Sequence, residues 1–460
     1  MKIKDNGYGL VKKVAKWGLP FFLLTFLPFN AMAQVVVDDE DDGDDEDELV
    51  VTDQKGNEEI IEFPEAMTYD LDSLLNLYMS KTYLDENDCN MRDENPTYTK
   101  EEYVERLSRI PTIMEMAYND VVQKFIDRYS GRLRRSISYM LGASNFYMPI
   151  FEEALEMYQL PLELKYLPII ESALNPTAVS RAGAAGLWQF MIGTGKQYGL
   201  QVNSLLDERR DPVKSSYAAA RYLKDLYRIF GDWNLVIAAY NCGPENINKA
   251  IRRANPATAK NQEGEAAPVI KDYWHIYPYL PRETRGYVPA FIAANYIMTY
   301  YSQHNICPMS TRLPAKTDTV MVNRNLHLEQ VAEVVGINID LLRSLNPMYR
   351  RDVLPGSTEP CALRLPQTEV GKFIDLEDSV YNYKSDELFN KRMEVEVKDD
   401  VPTYYHKSKR TVRGKKVRVS KRTARTKSRR TTVTRKKTVT AKKRTTTSKK
   451  RKTTSKKKRR

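Results

Sequence analysis

The last sixty residues of this 460-residue chain cannot form a folded core, and this feature most limits its architecture. Residues 401–460 hold 28 of the 72 lysines and arginines and no acidic residue, in a low-complexity mixture with threonine and serine. Such a segment has too few apolar side chains to offset the entropy cost of ordering it. The remaining residues carry 44 basic against 60 acidic side chains, so the total charge of +12 conceals an acidic remainder of about −16.

The opposite end of the chain predicts export. Five lysines fall within the first sixteen residues, and the apolar run WGLPFFLLTFLPF and the small-residue sequence AMA follow, ending at Ala33. This order is typical of a signal peptide over residues 1–33, whose apolar stretch is too short to span a bilayer. A retained amphipathic N-terminus is the alternative. The acidic block that follows predicts a disordered linker over residues 34–68.

The cysteines and histidines bear on redox state and metal binding. An oxidising compartment would permit any pairing among Cys89, Cys242, Cys307 and Cys361. We expect Cys307 to pair with Cys361, because these two bracket one compact stretch. The four histidines form no HExxH motif, and no CxxC spacing occurs. We therefore expect no zinc site and no other cofactor.

The sequence from Tyr69 to about residue 305 has a helical pattern. Apolar residues recur at spacings of three and four in KEEYVERLSRIPTIMEMAYNDVVQKFIDRY and in MPIFEEALEMYQL. The segment DPVKSSYAAARYLKDLYRIFG predicts a helix capped by Asp211, with Pro212 at its first position and Gly231 at its end. Further helices are predicted over DWNLVIAAYN and YVPAFIAANYIMTYY.

Residues 311–366 have a different pattern. TDTVMVNR and CALRLP predict strands, and HLEQVAEVV and IDLLRSL predict two short helices separated by Gly336. A βααβ order within about fifty residues indicates a small separate module. Residues 367–460 are expected to form a linker and the basic tail.

A single acid interrupts the apolar run PLELKYLPIIESALNP. In a continuous helix, Leu167 and Leu174 would lie one turn before and one turn after Glu171 and place its carboxylate in a hydrophobic stripe. Pro168 must kink or restart that helix. Apolar surroundings would raise the pKa of the carboxyl, so that it could serve as a proton donor near neutral pH. A capping or surface role is the alternative.

Four short motifs occur in the helical segment: ESALNP from Glu171, AGLWQFM at residues 185–191, AAYNCG at residues 238–243, and LPRETRGYVP at residues 280–289. Each motif alone is a weak signal. Glu-Ser at a helix end is typical of a cap or surface residue, Trp188 and Phe190 are typical of core aromatics, and Tyr240 with Asn241 is typical of a C-terminal cap. In this order and spacing, the set resembles the lytic transglycosylases with a goose-type, lysozyme-like fold, particularly the membrane-bound murein transglycosylase D group. The resemblance covers roughly residues 100–305.

This resemblance implies a mainly α fold, with a lysozyme-like (SLT) catalytic domain and N-terminal helical extension over residues 69–305, followed by the small module. It assigns Glu171 as the catalytic acid and base. The residues that it implies for substrate binding are Ser180, Gln189, Phe190, Met191, Tyr240, Asn241 and Tyr287. Trp188 stands where the family's GLMQ motif has methionine, as in the D group.

The implied reaction is non-hydrolytic cleavage of the β-1,4 bond between N-acetylmuramic acid and N-acetylglucosamine in peptidoglycan glycan strands. Ordinary glycosidases use two carboxylates. In this family one glutamate protonates the leaving oxygen and then helps the C6 hydroxyl attack C1, so intramolecular positioning replaces the second carboxylate. Asp207, Glu208 and Asp211 are rival second carboxylates, although LLDERRD predicts an exposed turn or salt bridge. A hydrolytic goose-type-like lysozyme and a non-catalytic peptidoglycan-binding scaffold are the alternative functions.

Residues 322–346 resemble a LysM peptidoglycan-binding repeat, in which Asn325, Leu326 and His327 replace the usual Gly-Asp-Thr turn. This replacement leaves glycan binding and a packing role as alternatives. In an exported protein, located in a periplasm or cell envelope with or without outer-membrane attachment, the basic tail predicts anionic envelope polymers or lipid headgroups as partners. Nucleic acid is disfavoured, because no Phe, Trp or Tyr follows Tyr405 to stack on bases. The sequence indicates no oligomeric state.

Overall fold

The computed structural model describes residues 48–52, 58–67, 94–256 and 268–389. The predicted signal peptide and the basic tail lie outside the described residues. Two hydrophobic cores are present in the described part. One belongs to a helical body that extends from Ile61 to Ile306, and the other belongs mainly to a C-terminal module, residues 317–389. The expectation of a mainly α fold with a small α/β module is confirmed.

The helical body is built around one apolar helix. Its helices are α1 Lys100–Arg109, α2 Asp120–Ser130, α3 Arg134–Met157, α4 Leu167–Ser172, α5 Ile192–Gln197, α6 Pro212–Phe230, α7 Trp233–Cys242, α8 Pro244–Ala254, α9 Tyr273–Ile276, α10 Arg282–Arg285 and α11 Tyr287–Tyr300. Helix α11 is buried on nearly every side and packs against α2, α4 and α7. A helix that is apolar all round is stable only in such a position.

The ends of α6 lie where the sequence predicts them. The side chain of Asp211 accepts hydrogen bonds from the N–H groups of Val213 and Lys214, which would otherwise lack partners at the first turn. Pro212 occupies the first helical position, and Gly231 ends the helix with a φ of 68°.

A hairpin precedes the helices. Strand β1, Glu48–Thr52, pairs antiparallel with β2, Glu58–Glu62, and Ile61 is fully buried in the core of the helical body. The prediction of a disordered linker over residues 34–68 is wrong for the two strands, residues 48–52 and 58–62. The local sequences ELVVT and EEIIE supply apolar side chains that a paired strand can bury, despite the acids around them.

Several contacts fix the hairpin and the turn after it to the helical body. Strand β2 lies against α10, and the 3₁₀ turn after it lies against α4. The guanidinium of Arg128 lies 3.9 Å from the ring centroid of Phe63 and donates to the carbonyl of Met67 over 2.8 Å. The backbone at Gly286 passes so close to the carbonyl of Glu62 that a side chain there would collide with it. Residues 58–67 are therefore part of the helical body.

The C-terminal module contains two antiparallel strand pairs and short helices. Its elements are β3 Thr317–Val322, β4 Asn325–His327, α12 Leu328–Val331, α13 Ile339–Leu345, β5 Val353–Pro355, β6 Cys361–Pro366, α14 Val370–Asp375, α15 Glu377–Asn382 and α16 Ser385–Phe389. The predicted outer strands pair as β3 with β6, and β4 pairs with β5. The prediction of a linker from residue 367 is wrong for residues 370–389, since Phe373 and Val380 are buried in the module's core.

The cysteines do not pair as expected. Cys307 is disulfide-bonded, whereas Cys242 and Cys361 are free. The predicted pairing of Cys307 with Cys361 is therefore wrong. The two cysteines belong to different parts of the fold. Cys361 lies on β6 and packs into the core of the C-terminal module, whereas Cys307 follows α11 in the helical body.

Candidate active site

Glu171 lies in the last turn of α4. Pro168 occupies the first turn and so begins this short helix. The helix ends because Ala173 and Leu174 adopt left-handed conformations, with φ of 50° and 59°. Leu174 is thus not on the same helical face as Leu167, although both leucines are fully buried. The apolar surroundings of Glu171 therefore arise from the fold rather than from a continuous helical stripe.

The neighbouring Ser172 faces the protein interior. Its hydroxyl oxygen lies 2.9 Å from the carbonyl of Leu187 and 3.1 Å from that of Pro168. The hydroxyl of Ser172 therefore links the end of α4 to the loop that follows. Of the two adjacent residues, Ser172 faces the interior and Glu171 faces the cleft.

Glu171 opens into a cleft of about 290 Å³. All eight residues predicted for the site line this cleft: Glu171, Ser180, Gln189, Phe190, Met191, Tyr240, Asn241 and Tyr287. They come from α4, the loop after it, the end of α7 and the start of α11. The structure thus brings together side chains that are separated by up to 116 positions in the sequence.

Several groups control the protonation of Glu171. Burial raises the pKa of its carboxyl well above the ordinary value of 4.5, and the negative charge of Glu65 raises it further. The hydroxyl of Tyr287 donates a hydrogen bond to Oε1, which favours the ionised form but does not reverse this direction. Tyr222 and Tyr240 also lie close enough to interact electrostatically with Glu171. A carboxyl with a raised pKa at the wall of a cleft can act as a general acid near neutral pH.

The loop between α4 and α5 holds Ser180 and Gln189 in defined positions. The N–H of Ala184 donates to Oγ of Ser180 over 3.0 Å, and the N–H of Ser180 donates to the carbonyl of Ala184 over 2.9 Å. Gln189 adopts a φ of 46°, and its Nε2 donates to the carbonyl of Gly186 over 2.8 Å. Hydrogen bonds within the loop therefore set the direction of both side chains.

Tyr240 and Asn241 are placed by the end of α7. The hydroxyl of Tyr240 donates to the carbonyl of Trp188 over 2.7 Å. Oδ1 of Asn241 accepts from the hydroxyl of Thr284 over 2.9 Å. Trp188 itself is fully buried, and its Nε1 donates to Oγ of Ser216 over 2.9 Å. Trp188 thus supports the cleft from the core.

Two family models match the chain. The first, described as "Transglycosylase SLT domain", matches residues 148–263, which include Glu171 and the loop after it. The chain carries an SLT domain. The second, described as "Lytic transglycosylase MltD, LysM-like domain", matches residues 316–382. This LysM-like domain includes helices beyond residue 366, in agreement with the packing of α14 and α15.

Known lytic murein transglycosylases resemble parts of this chain. The membrane-bound lytic murein transglycosylase D of Escherichia coli strain K12 is 34% identical over 209 residues, which are 45% of this chain and 43% of that protein. The soluble lytic murein transglycosylase of the same strain is 29% identical over 136 residues, covering 28% and 19% respectively. The chain thus spans less than half the length of either relative.

A solved structure also aligns with the chain. It is an inactive mutant of the lytic transglycosylase Slt from Pseudomonas aeruginosa, with 22% identity over 35% of this chain and 25% of that chain. The TM-score is 0.27, too low to support any argument about shared geometry.

The three rival carboxylates do not line the cleft of the SLT domain. Asp207, Glu208 and Asp211 are all buried, and Asp211 caps α6 as described above. Asp207 pairs with Arg209 over 2.9 Å, and Glu208 pairs with Lys214. The predicted salt bridges are confirmed. The predicted exposed turn is wrong, because the three carboxylates are buried. The burial of Asp207 and Glu208 is tolerated because their basic partners neutralise charges that a buried position would otherwise disfavour.

Several other residues line the cleft but are not among those predicted from the sequence. They include Glu65, Glu283 and Tyr222. Oε1 of Glu65 accepts from the backbone N–H of Arg181 over 3.0 Å, a contact that bridges 116 positions of sequence. Glu283 falls within the quoted LPRETRGYVP motif, which could have identified it. The ring of Tyr222 lies 5.2 Å from that of Tyr240, but spacing alone does not distinguish such a residue from a core aromatic.

The departure from the usual LysM turn has a structural role. Asn325, Leu326 and His327 form β4, and Leu326 is fully buried. Nδ1 of His327 accepts from the N–H of Glu329 over 3.2 Å and so caps α12. Oδ1 of Asn325 accepts from the N–H of Ser357 over 3.2 Å. These residues thus hold the LysM-like domain together at the turn.

Proposed function

We propose that this protein is a peptidoglycan lytic transglycosylase. It would cleave the β-1,4 bond between N-acetylmuramic acid and N-acetylglucosamine and leave a 1,6-anhydromuramic acid end. The observation that carries this proposal is the carboxyl of Glu171, which has a raised pKa and faces a cleft together with the other seven predicted residues. The SLT domain and the similarity to a lytic murein transglycosylase support the same reaction class.

In the first step Glu171 acts as a general acid. Its proton passes to the glycosidic oxygen while the bond from that oxygen to C1 of the muramic acid residue breaks. The departing N-acetylglucosamine gains a hydroxyl, and Glu171 becomes a carboxylate. The hydrogen bond from Tyr287 then stabilises the charge that has formed on Oε1.

In the second step the same residue acts as a general base. The C6 hydroxyl of the muramic acid residue attacks C1 as Glu171 takes its proton, so an O6–C1 bond forms and Glu171 returns to its protonated state. No water enters the products. The glycan would be held so that O6 reaches C1, and this positioning makes an intramolecular attack fast. The residues that would hold it are Ser180, Gln189, Phe190, Met191, Tyr240 and Asn241.

Hydrolysis is the second candidate reaction. Glu65 and Glu283 line the same cleft as Glu171 and could activate a water molecule, as the second carboxylate of a conventional glycosidase does. Hydrolysis would leave a reducing muramic acid end, which is heavier than the anhydro end by one water.

The decisive experiment is digestion of purified peptidoglycan sacculi, followed by mass analysis of the soluble products. Anhydro ends support the proposal, and reducing ends would replace it with lysozyme activity. Glu171→Gln is expected to abolish release of both products while the circular dichroism spectrum stays unchanged. Full activity of that variant would contradict the assigned mechanism, and the complete absence of activity in the unmodified protein would favour the wall-binding scaffold.

We further propose that the protein acts in the cell envelope after export and that its LysM-like domain contacts peptidoglycan. In the described part of the chain, no helix combines the length and apolarity needed to cross a bilayer. The Glu171→Gln protein should be retained on insoluble peptidoglycan without digesting it. Deletion of residues 407–460 should reduce the salt-sensitive fraction that associates with anionic envelope material, and an unchanged distribution would count against this role of the tail.

A further inference from the structure

The SLT domain and the LysM-like domain are joined by backbone hydrogen bonds. The N–H of Arg350 donates to the carbonyl of Leu205 over 2.7 Å, and the N–H of Asp207 donates to the carbonyl of Met348 over 2.9 Å. Leu206 packs in the core of the LysM-like domain. The segment before α6 thus forms a direct connection between the two domains.

The carboxylate of Asp207 lies at the centre of this connection. It is fully buried, and Arg209 binds both of its oxygens, with Nε 2.9 Å from Oδ1 and Nη2 3.0 Å from Oδ2. Nη2 of Arg350 donates to the same Oδ2 over 2.9 Å. Arg210 adds a more distant charge, at 3.8 Å. A buried carboxylate with this number of charged donors has a well-defined orientation, and so do the guanidinium groups that it holds.

Arg209 carries the connection to the catalytic cleft. Its side chain is 4% exposed, and its Nη1 donates to the carbonyls of Gly183 and Phe190 over 2.9 and 3.0 Å. These carbonyls lie at the two ends of the segment 183–190, which includes Gln189. The carbonyl of Phe190 also accepts the N–H of Ala185 over 3.1 Å. One guanidinium therefore fixes both ends of a segment that lines the cleft.

We propose that Arg350 of the LysM-like domain is a positioning residue for the catalytic cleft: through Asp207 it orients Arg209, which holds the segment 183–190. The LysM-like domain would then be part of the catalytic unit as well as a glycan-binding module. The effect on catalysis rests on the proposed function, whereas the effect on the segment does not. A displacement of about 1 Å in a segment that positions the substrate is sufficient to lower the reaction rate substantially, even when its cause lies far from the reacting atoms.

Hydrogen exchange of the full chain tests the physical coupling directly. In Arg350→Ala the amides of residues 183–190 should exchange on the order of tenfold faster, while amides in the buried helix α11 keep their protection. Arg350→Lys retains a charge and should restore part of the protection. Arg351→Ala removes the adjacent, exposed guanidinium and should change nothing. Unchanged exchange in Arg350→Ala would overturn the proposal, and so would faster exchange throughout the molecule.

Turnover of a glycan fragment of two disaccharide units tests the catalytic consequence. Arg350→Ala should lower kcat/KM on the order of tenfold, with Arg350→Lys intermediate and Arg351→Ala unchanged. Equal values for Arg350→Ala and the unmodified protein would overturn the positioning role. If the unmodified protein shows no turnover at all, the proposed function is refuted instead, and the exchange measurement alone decides whether Arg350 acts on the segment.

Discussion

The hydroxyl of Tyr287 donates a hydrogen bond to Oε1 of Glu171. Tyr287 is the first residue of the buried helix α11, so the donor is attached to the most enclosed element of the helical body. A donor held in this way orients the carboxyl before substrate binds and stabilises its ionised form.

Removal of this donor should slow the reaction. Hydrogen bonds to charged groups contribute about 1.5–3 kcal/mol, so Tyr287→Phe should lower kcat roughly 10- to 100-fold. The pKa of Glu171 should rise further, which moves the alkaline limb of the pH–rate profile to higher pH. The control is Tyr279→Phe, since Tyr279 is 44% exposed. A normal rate in Tyr287→Phe would exclude this hydrogen bond from the mechanism.

The buried acid should make stability depend on pH. Since the pKa of Glu171 is raised in the folded protein, the folded state binds more protons than the unfolded state between 4.5 and the folded value. The free energy of unfolding should therefore fall as pH rises through this window. Glu171→Gln does not titrate, so its stability relative to the unmodified protein should increase from pH 4 to pH 8 in urea denaturation. A constant difference would show that the folded pKa is not raised.

Glu65 offers a test of the electrostatics of the cleft. Its negative charge raises the pKa of Glu171, so Glu65→Gln should move the alkaline limb of the pH–rate profile to lower pH. Glutamine can still accept the N–H of Arg181, so the substitution removes mainly the charge. The shift should shrink at high salt because Glu65 is exposed. Glu115→Gln removes an exposed charge outside the cleft lining and should leave the profile unchanged; equal shifts in both variants would indicate a general charge effect.

Asp207→Asn should destabilise the protein strongly. Removal of one partner from a buried ion pair costs about 3–5 kcal/mol, because the guanidinium groups of Arg209 and Arg350 lose their counter-charge. The exposed pair of Glu105 and Arg109 supplies the control, since Glu105→Gln should cost less than about 1 kcal/mol. Urea denaturation at neutral pH measures both changes, and similar losses would contradict the central role of Asp207.

The same substitution should show a pH dependence of definite sign. Burial opposes ionisation of Asp207, but hydrogen bonding by Arg209 and the charges of Arg209, Arg210 and Arg350 prevail and lower its pKa below the ordinary 3.8. A lowered folded pKa contributes stability that is present above 3.8 and is lost as pH falls through the folded value. The difference in free energy of unfolding between the unmodified protein and Asp207→Asn should therefore become smaller as the pH falls below 3.8.

Gly186 is a position where a methyl group should disturb the cleft. Its φ of 85° disfavours any other residue, and a Cβ atom there would collide with the carbonyl of Arg209. Gly186→Ala should cost at least about 1–3 kcal/mol of stability and reduce substrate affinity by displacing the loop that carries Gln189. Gly193→Ala is the matched control, because open space surrounds that position. Equal melting temperatures for the two variants would contradict the close approach at Gly186.

The sequence was sufficient to predict the residues of the cleft but not all of its walls. Glu171, Gln189 and Tyr240 lie in short motifs whose order and spacing can be recognised in the sequence alone. The structure brings these three residues together in one cleft. Glu65 lies in an acidic region whose composition resembles a linker, and only long-range packing of Ile61 reveals its place. Local pattern does not report such contacts.

The charged stretch LLDERRD illustrates the same limit. Its charge density favours an exposed turn, yet Asp207 is fully buried because arginines from two domains converge on it. Likewise, β4 and β5 are only three residues long, too short for alternation to signal a strand, and they form through pairing across the LysM-like domain.

The docking of the N-terminal hairpin determines where this protein can be divided. A fragment that starts at Lys100 would lose Ile61 and Phe63 and would uncover the apolar surface around Phe125, against which Phe63 packs with ring centroids 5.0 Å apart. It would also lose one wall of the cleft. The smallest autonomous catalytic fragment should therefore extend well beyond residues 148–263, to include the hairpin at one end and the LysM-like domain at the other.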